Sequence, residues 1–204
     1  MGVIRILIAE DQQVVRGALV ALLELEPDLS VVAEVGSGDD VVPAALKHSP
    51  DVAVLDIDMP GGVDGLDAAA ELHRRVPGCR TLVLTGQGRP GHLRRAQGAH
   101  VTGFLLKTAP VDELITAVRA VAAGRRVLDP NLAVTAWDLG DNPLTPRETD
   151  VLRLTAGGAE ATEIAARLFL SAGTVRNHLT AIVSKLNARS RTDAVRIAGD
   201  AGWI

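Results

Sequence analysis

Five short runs rich in Val, Ile and Leu recur along the first half of the chain, each followed by polar or glycine residues and then by a helical pattern. The runs are Ile4 to Ala9, Val31 to Val35, Val52 to Asp56, Thr81 to Thr85 and Gly103 to Lys107. The helical stretches are Gln12 to Glu24, Asp39 to Lys47, Leu66 to Arg75, a short piece around Gly91 to Ala96, and Val111 to Ala123. Apolar strands that alternate with amphipathic helices predict a parallel sheet covered on both faces, because a crossover helix brings the chain back to start each parallel neighbour.

Five such units in about 120 residues fit a flavodoxin-like, doubly wound α/β domain with a five-stranded sheet, whose ligand site lies beyond the carboxyl ends of the strands. After Gly124 the alternation stops. Pro130, Gly140 and Pro143 punctuate a stretch with no long periodic run, which predicts a linker over 125–142 between a first domain at 1–124 and a second at 143–204. The last segment has no strand signal and reads as four helices: Pro146 to Thr155, Ala161 to Leu168, Ala172 to Leu186 and Thr192 to Asp200.

Charge divides along the same boundary. Up to Asn142 there are 13 Lys/Arg against 19 Asp/Glu, a net of −6, whereas from Pro143 onward 8 against 6 gives +2. Only the second half suits nucleic acid. Aromatics are 2% of the chain and there is no Tyr, so any such contact runs through helices and basic side chains rather than stacked rings. Cys79 is the only cysteine, which excludes an intrachain disulfide and a multi-cysteine metal site. No apolar run is long enough for a signal peptide or a membrane span, so a cytoplasmic protein is expected.

The strand ends carry the chemistry. Glu10 and Asp11 follow the first strand, Asp56 ends the third, Thr85 ends the fourth and Lys107 ends the fifth. In a parallel sheet these ends share one edge. Three acids in one small pocket raise each other's pKa unless a cation neutralises them. A hard divalent ion with oxygen ligands answers that need, and Mg2+ suits few carboxylates plus a phosphate oxygen. Lys107 as a compact cation and Thr85 as a hydroxyl donor suit the oxygens of a phosphoryl group. Each residue taken alone has a plainer explanation: Asp11 as a helix cap, Asp56 as a loop acid, Lys107 as a solvated charge.

The segments AEDQQVVRGAL, LDIDMPGGVDG, VLTG and GFLLK, in that order and spacing, resemble the receiver domain of two-component response regulators over about residues 3 to 124. The resemblance implies that Asp56 takes a phosphoryl group from a sensor histidine kinase. It implies that Glu10, Asp11 and Asp56, with the backbone carbonyl of Asp58, hold Mg2+, that Thr85 and Lys107 contact the phosphoryl oxygens, and that Phe104 is the switch aromatic. Glu10 stands where the family more commonly has Asp. Gly86, Gly88, Pro90 and Gly91 load the loop after Thr85 with flexible and helix-breaking residues, so a short or mobile following helix is expected.

In the C-terminal segment, Thr145, Pro146 and Glu148 have the spacing of a capping box with proline at the first helical position. TEIAARLFLSAGTVRNHLTAIVSKL then reads as a helix, a break, a cap at Ser171 and a longer helix. Val175, Leu179, Ile182 and Leu186 form one apolar face of that helix, with Arg176, Asn177, Thr180 and Ser184 opposite. A plain helical hairpin with a solvated polar face and a helix-turn-helix both fit this pattern. The wording from LTPRETDVL to IVSKL resembles the LuxR-type four-helix DNA-binding domain over about residues 143 to 204 and, with the receiver, the NarL/FixJ class of response regulators. That implies DNA contacts from Thr162, Thr174, Arg176, Asn177, Thr180 and Lys185, a packing role for His178, and a homodimer formed on phosphorylation that binds two-fold half-sites in double-stranded DNA. Val14, Ala18, Val111, Leu114, Ile115 and Val118 are the apolar candidates for pairing through the first and fifth helices. The rival is a phosphatase of the haloacid dehalogenase kind, since Asp56 and Asp58 have its nucleophile-and-acid spacing; in those enzymes, however, the paired acids follow the first strand, and the C-terminal helices would have no role. A non-enzymatic, phosphorylation-controlled transcription regulator is therefore expected.

Overall fold

The computed structural model describes residues 2–86, 88–129, 132 and 142–204. Pro130 and Gly140, two of the breakers expected in the linker, lie outside them. The chain forms two compact units, whose main parts are Met1–Gly88 with Leu93–Val134, and Thr135–Ile204.

In the N-terminal unit the strands are β1 (Ile4–Ala9), β2 (Leu29–Val35), β3 (Val52–Leu55), β4 (Arg80–Thr85), β5 (Gly103–Leu106) and β6 (Val127–Leu128). They form one sheet in the order β2-β1-β3-β4-β5-β6, and every neighbouring pair is parallel. The helices are α1 (Gln13–Leu23), α2 (Val41–His48), α3 (Gly65–Arg75), α4 (Pro90–Gly98) and α5 (Val111–Ala122), with a 3₁₀ turn at Gly38–Asp40 before α2.

The period-two alternation of the strands separates two cores. Ile6, Ile8, Val52, Val54, Leu82 and Leu84 pack with Leu19 and Leu23 of α1 and Leu114, Ile115 and Val118 of α5. Leu7, Ala9, Ala53 and Leu55 point the other way, to Val41 and Ala45 of α2 and Ala68, Ala69 and Leu72 of α3. Ile57, Val83 and Phe104 continue that second face toward Ala96 of α4. Helices on both faces make the fold doubly wound. Leu114, Ile115 and Val118 are thereby core residues, so of the apolar candidates for a pairing surface only Val14, Ala18 and Val111 are exposed.

The sheet has six strands where five were expected, and the sixth falls inside the stretch expected to be linker. Gly124, with φ +77°, turns the chain at the end of α5. Val127 N–H then bonds to Thr102 O at 3.1 Å and Asp129 N–H to Phe104 O at 2.9 Å. The added strand covers the edge of β5, which would otherwise present unpaired backbone groups. Two residues are too few to show a period, which is why the sequence pattern does not reveal it. α4 is also longer than expected: it spans nine residues, with Pro90 at its first position, where a missing N–H does no harm.

The C-terminal unit comprises α6 (Pro146–Ala156), α7 (Ala161–Leu168), α8 (Ala172–Lys185) and α9 (Arg191–Asp200). Its core joins Val151 and Leu152 of α6, Ile164 of α7, Val175, Leu179 and Ile182 of α8, and Ala194 and Ala198 of α9. α6 starts on the expected capping box between Thr145 and Glu148.

Candidate functional site

Register brings the chemistry-bearing residues together. Ala9 is level with Leu55, Leu55 with Val83, and Thr85 with Leu106, so the carboxyl ends of β1, β3, β4 and β5 form one edge. Hydrogen bonds continue one residue past the strands and fix the backbone of the site: Asp56 N–H to Ala9 O at 2.9 Å, Glu10 N–H to Val35 O at 3.1 Å, and Lys107 N–H to Thr85 O at 2.8 Å.

Lys107 Nζ sits between two carboxylates, 2.7 Å from Glu10 Oε2 and 2.8 Å from Asp56 Oδ2. Asp56 Oδ1 accepts from its neighbour Ile57 N at 2.8 Å, and Glu10 Oε1 from Gln12 N at 3.2 Å. Glu10 and Asp56 are 1% and 4% exposed. Burial pushes the Glu10 carboxyl above the usual carboxylate range, against the pull of the Lys107 hydrogen bond. Burial also opposes the charge on Lys107, but hydrogen bonds to Asp56 and Glu10 outweigh it and hold the ammonium above an ordinary lysine. The pocket thus holds a deficit of positive charge that one lysine only partly meets.

Asp11 completes the acidic group. The N-cap of α1 is Gln12, and no side chain caps the helix, so Asp11 is not its cap. Glu10, Asp11 and Asp56 each offer a carboxylate oxygen, all within 4.8 Å of one another. These hard oxygen donors match an octahedral ion that keeps several waters. The donor set of Glu10, Asp11 and Asp56 fits a hard divalent cation. Asp58 is exposed, while Thr85 and Phe104 are buried. Phe104 belongs to a buried cluster with Ile57, Leu66, Val83 and Ala96 of α4.

The loop after Asp56 is tightly packed. A Cβ on Gly65 would lie 1.8 Å from the Asp56 carbonyl oxygen, and one on Gly38 would lie 1.9 Å from the Val63 carbonyl oxygen. Asp64 caps α3 by accepting from Leu66 N and Asp67 N, and also pairs with Arg95 of α4 at 2.6 Å. Arg16, which the sequence reading did not single out, donates from Nη1 to the Glu10 carbonyl oxygen at 2.5 Å and thereby pins the loop that carries two of the acids. Its signal was its position: a cation in the first turn of a helix without acids there opposes the helix dipole and calls for another partner. Cys79 is buried, and that burial pushes its thiol up to about 12, which disfavours the reactive thiolate.

In the C-terminal unit, Ser171 caps α8 by accepting from Thr174 N, and Thr174 Oγ1 lies 2.9 Å from Ser171 Oγ. Val175, Leu179 and Ile182 are buried, whereas Arg176, Asn177 and Thr180 are exposed on the other face and Thr162 is exposed on α7. Thr180 Oγ1 donates to Arg176 O at 3.0 Å. His178 is half-buried and belongs to no metal-binding group among the described residues. Lys185, an implied DNA contact, has its Nζ 2.7 Å from Glu148 Oε2 and so ties α8 to α6.

A family model described as the response regulator receiver domain matches residues 6–119, and one described as bacterial regulatory proteins of the luxR family matches residues 142–198. The chain is 44% identical over 201 residues to the transcriptional regulatory protein DesR of Bacillus subtilis, covering 98% of this chain and 99% of that one. It is 36% identical to the transcriptional regulatory protein UhpA of Escherichia coli, covering 98% and 100%. Among solved structures, the response regulator ChrA of a heme-sensing two-component system matches with a TM-score of 0.61 at 35% identity, covering 100% of both chains. An RcsB–DNA complex matches with a TM-score of 0.70 at 25% identity, covering 98% of this chain and 99% of that one. Both units are matched and the relatives align along nearly the whole length, so the chain belongs to the two-component response regulators that join a receiver to a LuxR-type helix-turn-helix and regulate transcription by binding DNA under the control of phosphorylation.

Proposed function

We propose that Asp56 is the phosphoacceptor of this regulator and that a sensor histidine kinase is its donor. The observation that carries the reading is the Lys107 ammonium held between the buried carboxylates of Glu10 and Asp56, beside Asp11, where four strand ends meet. An Asp56 carboxylate oxygen attacks phosphorus, the bond from phosphorus to the donor breaks, and an acyl phosphate forms. Glu10, Asp11, Asp56 and the Asp58 backbone carbonyl would hold Mg2+, which when bound would supply charge neutralisation for the phosphoryl oxygens. Lys107 transfers its hydrogen bond from the carboxylate to a phosphoryl oxygen, and Thr85 offers its hydroxyl to another. Phe104, packed toward α4, carries the change to the surface.

Phosphorylation then pairs two receivers through α1 and α5, where Val14, Ala18 and Val111 are exposed. Paired C-terminal domains, taken as 143–204, place two α8 helices in successive major grooves, with Arg176 and Asn177 toward base edges and Thr162, Thr174 and Thr180 toward the backbone. The receiver is taken to run through β6 rather than to end at residue 124, which leaves a shorter connection to residue 142. No helix among the described residues is long and apolar enough to cross a membrane; we place the protein in the cytoplasm, acting as a regulator and not as an enzyme.

A small-molecule phosphodonor tests the assignment. One acyl phosphate per chain should form on Asp56 only when Mg2+ is present, should be abolished by Asp56→Asn and should survive Asp58→Asn. A phosphoryl group located on Asp58 by mass spectrometry would overturn it. Multiple turnovers on a simple phosphate ester would favour the haloacid dehalogenase reading instead.

A further inference from the structure

Phe169 follows α7 in a left-handed backbone conformation, φ +55°, with 96% of its surface exposed. Neither feature suits a phenylalanine. The left-handed region is unfavourable for a bulky side chain, and glycine is the usual residue just past a helix end. The other non-glycine residues at positive φ among the described residues are Ser49, His100 and Asn187, all polar. The only other phenylalanine, Phe104, is buried in the receiver core. Among the described residues the C-terminal core does not include the ring at position 169.

The turn that carries it is nonetheless held in place. Leu170 N–H bonds to Ala165 O at 2.8 Å, and the Arg147 guanidinium donates to Leu168 O. Phe169 also stands two residues before Ser171, the cap of α8, so it adjoins the first turn of the helix that presents Arg176 and Asn177. From Arg167 to Lys185 the chain contains no Asp or Glu, so the surroundings favour an anionic surface. An exposed apolar ring on a hydrogen-bonded turn, beside a helix that carries no acid, suits a polyanion that also offers apolar faces, and the deoxyribose rings of DNA are such faces.

We propose that Phe169 is a DNA-contact residue whose ring packs on the sugars of the DNA backbone at the edge of the groove entered by α8. The proposal rests on the reading of α8 as the recognition helix, and the test separates the two. Phe169→Gly, Phe169→Leu and Arg176→Ala in the full chain are each titrated against a site selected from random DNA and against unrelated DNA, at several salt concentrations, with thermal melting of each protein alongside. Phe169→Gly should melt no lower than the parent, because glycine accepts the left-handed backbone. It should weaken binding about tenfold on both DNAs, the effect of withdrawing part of one ring from a dry contact. The salt slope should not move, because a neutral side chain releases no counterions. Phe169→Leu should keep most of the affinity. Unchanged affinity of Phe169→Gly while Arg176→Ala binds more weakly would overturn the proposal, as would a loss confined to the selected site or a lower melting temperature. If Arg176→Ala and Phe169→Gly both bind like the parent, the reading of the α8 face itself fails.

Discussion

Lys185→Met separates a structural tie from a DNA contact. Glu148 Oε2 accepts three donors, from Lys185 Nζ at 2.7 Å, Thr145 N at 2.7 Å and Thr145 Oγ1 at 2.9 Å, and its side chain is 6% exposed. The substitution removes one charge-assisted hydrogen bond, worth about 1.5–3 kcal/mol, and leaves two donors in place. Because the Lys185 side chain is 38% exposed, solvent screening puts the loss at the lower end, about 1.5 kcal/mol. For a unit of this size that is a fall of about 6–12 °C in its melting temperature. A Trp137→Phe background leaves Trp203, which packs on the C-terminal core, as the only tryptophan to report the transition. Burial opposes ionisation of Glu148, but the hydrogen bonds from Lys185 and Thr145 outweigh it and hold the carboxyl below its usual value of 4.5. The folded unit therefore binds this proton less readily than the unfolded chain. The stabilisation is complete above about 4.5 and lost as pH falls below it, so the difference between parent and Lys185→Met should close on acidification. An unchanged Trp203 transition together with a salt slope of DNA binding reduced by about 0.9 per protomer would rule out the tie and restore Lys185 as a phosphate contact.

Gly65→Ala should destabilise the receiver by about 3 kcal/mol in urea unfolding and slow phosphodonor labelling of Asp56, because its Cβ has no room beside the Asp56 carbonyl; full stability would contradict the packing of that loop. Val14→Asp, at a site 86% exposed, should leave the melting temperature unchanged but reduce the dimer seen by light scattering after phosphorylation, whereas an unaffected dimer would move the pairing surface away from α1. Arg176→Ala should lose about 1–3 kcal/mol of DNA binding with relaxed preference at one position in each half-site, and inserting about 5 base pairs between half-sites should weaken the parent by placing them on opposite faces of the duplex; a selected site that tolerates both changes would argue against a two-fold complex read by α8.

Periodicity and strand-end chemistry were enough to name the parallel α/β domain and to gather Glu10, Asp11, Asp56, Thr85 and Lys107 at one edge. In a parallel sheet the ends of the strands must coincide, and the hydrophobic pattern that defines the strands also places their last residues. Local capping chemistry likewise set the start of α6 and the Ser171 cap of α8. Residues whose partners are distant in the chain depended instead on how the elements pack. Whether Lys185 meets a phosphate or Glu148, 37 residues away, depends on how α8 crosses α6. Leu114, Ile115 and Val118 differ from Val111 only in which side of α5 the sheet covers. β6 exists because β5 has an open edge, and Arg16 and Arg95 find Glu10 and Asp64 only once α1 and α4 are docked. A sequence records which side chains can bury or bind, but a pairing between two of them is a property of the packing, which appears only when the elements are assembled.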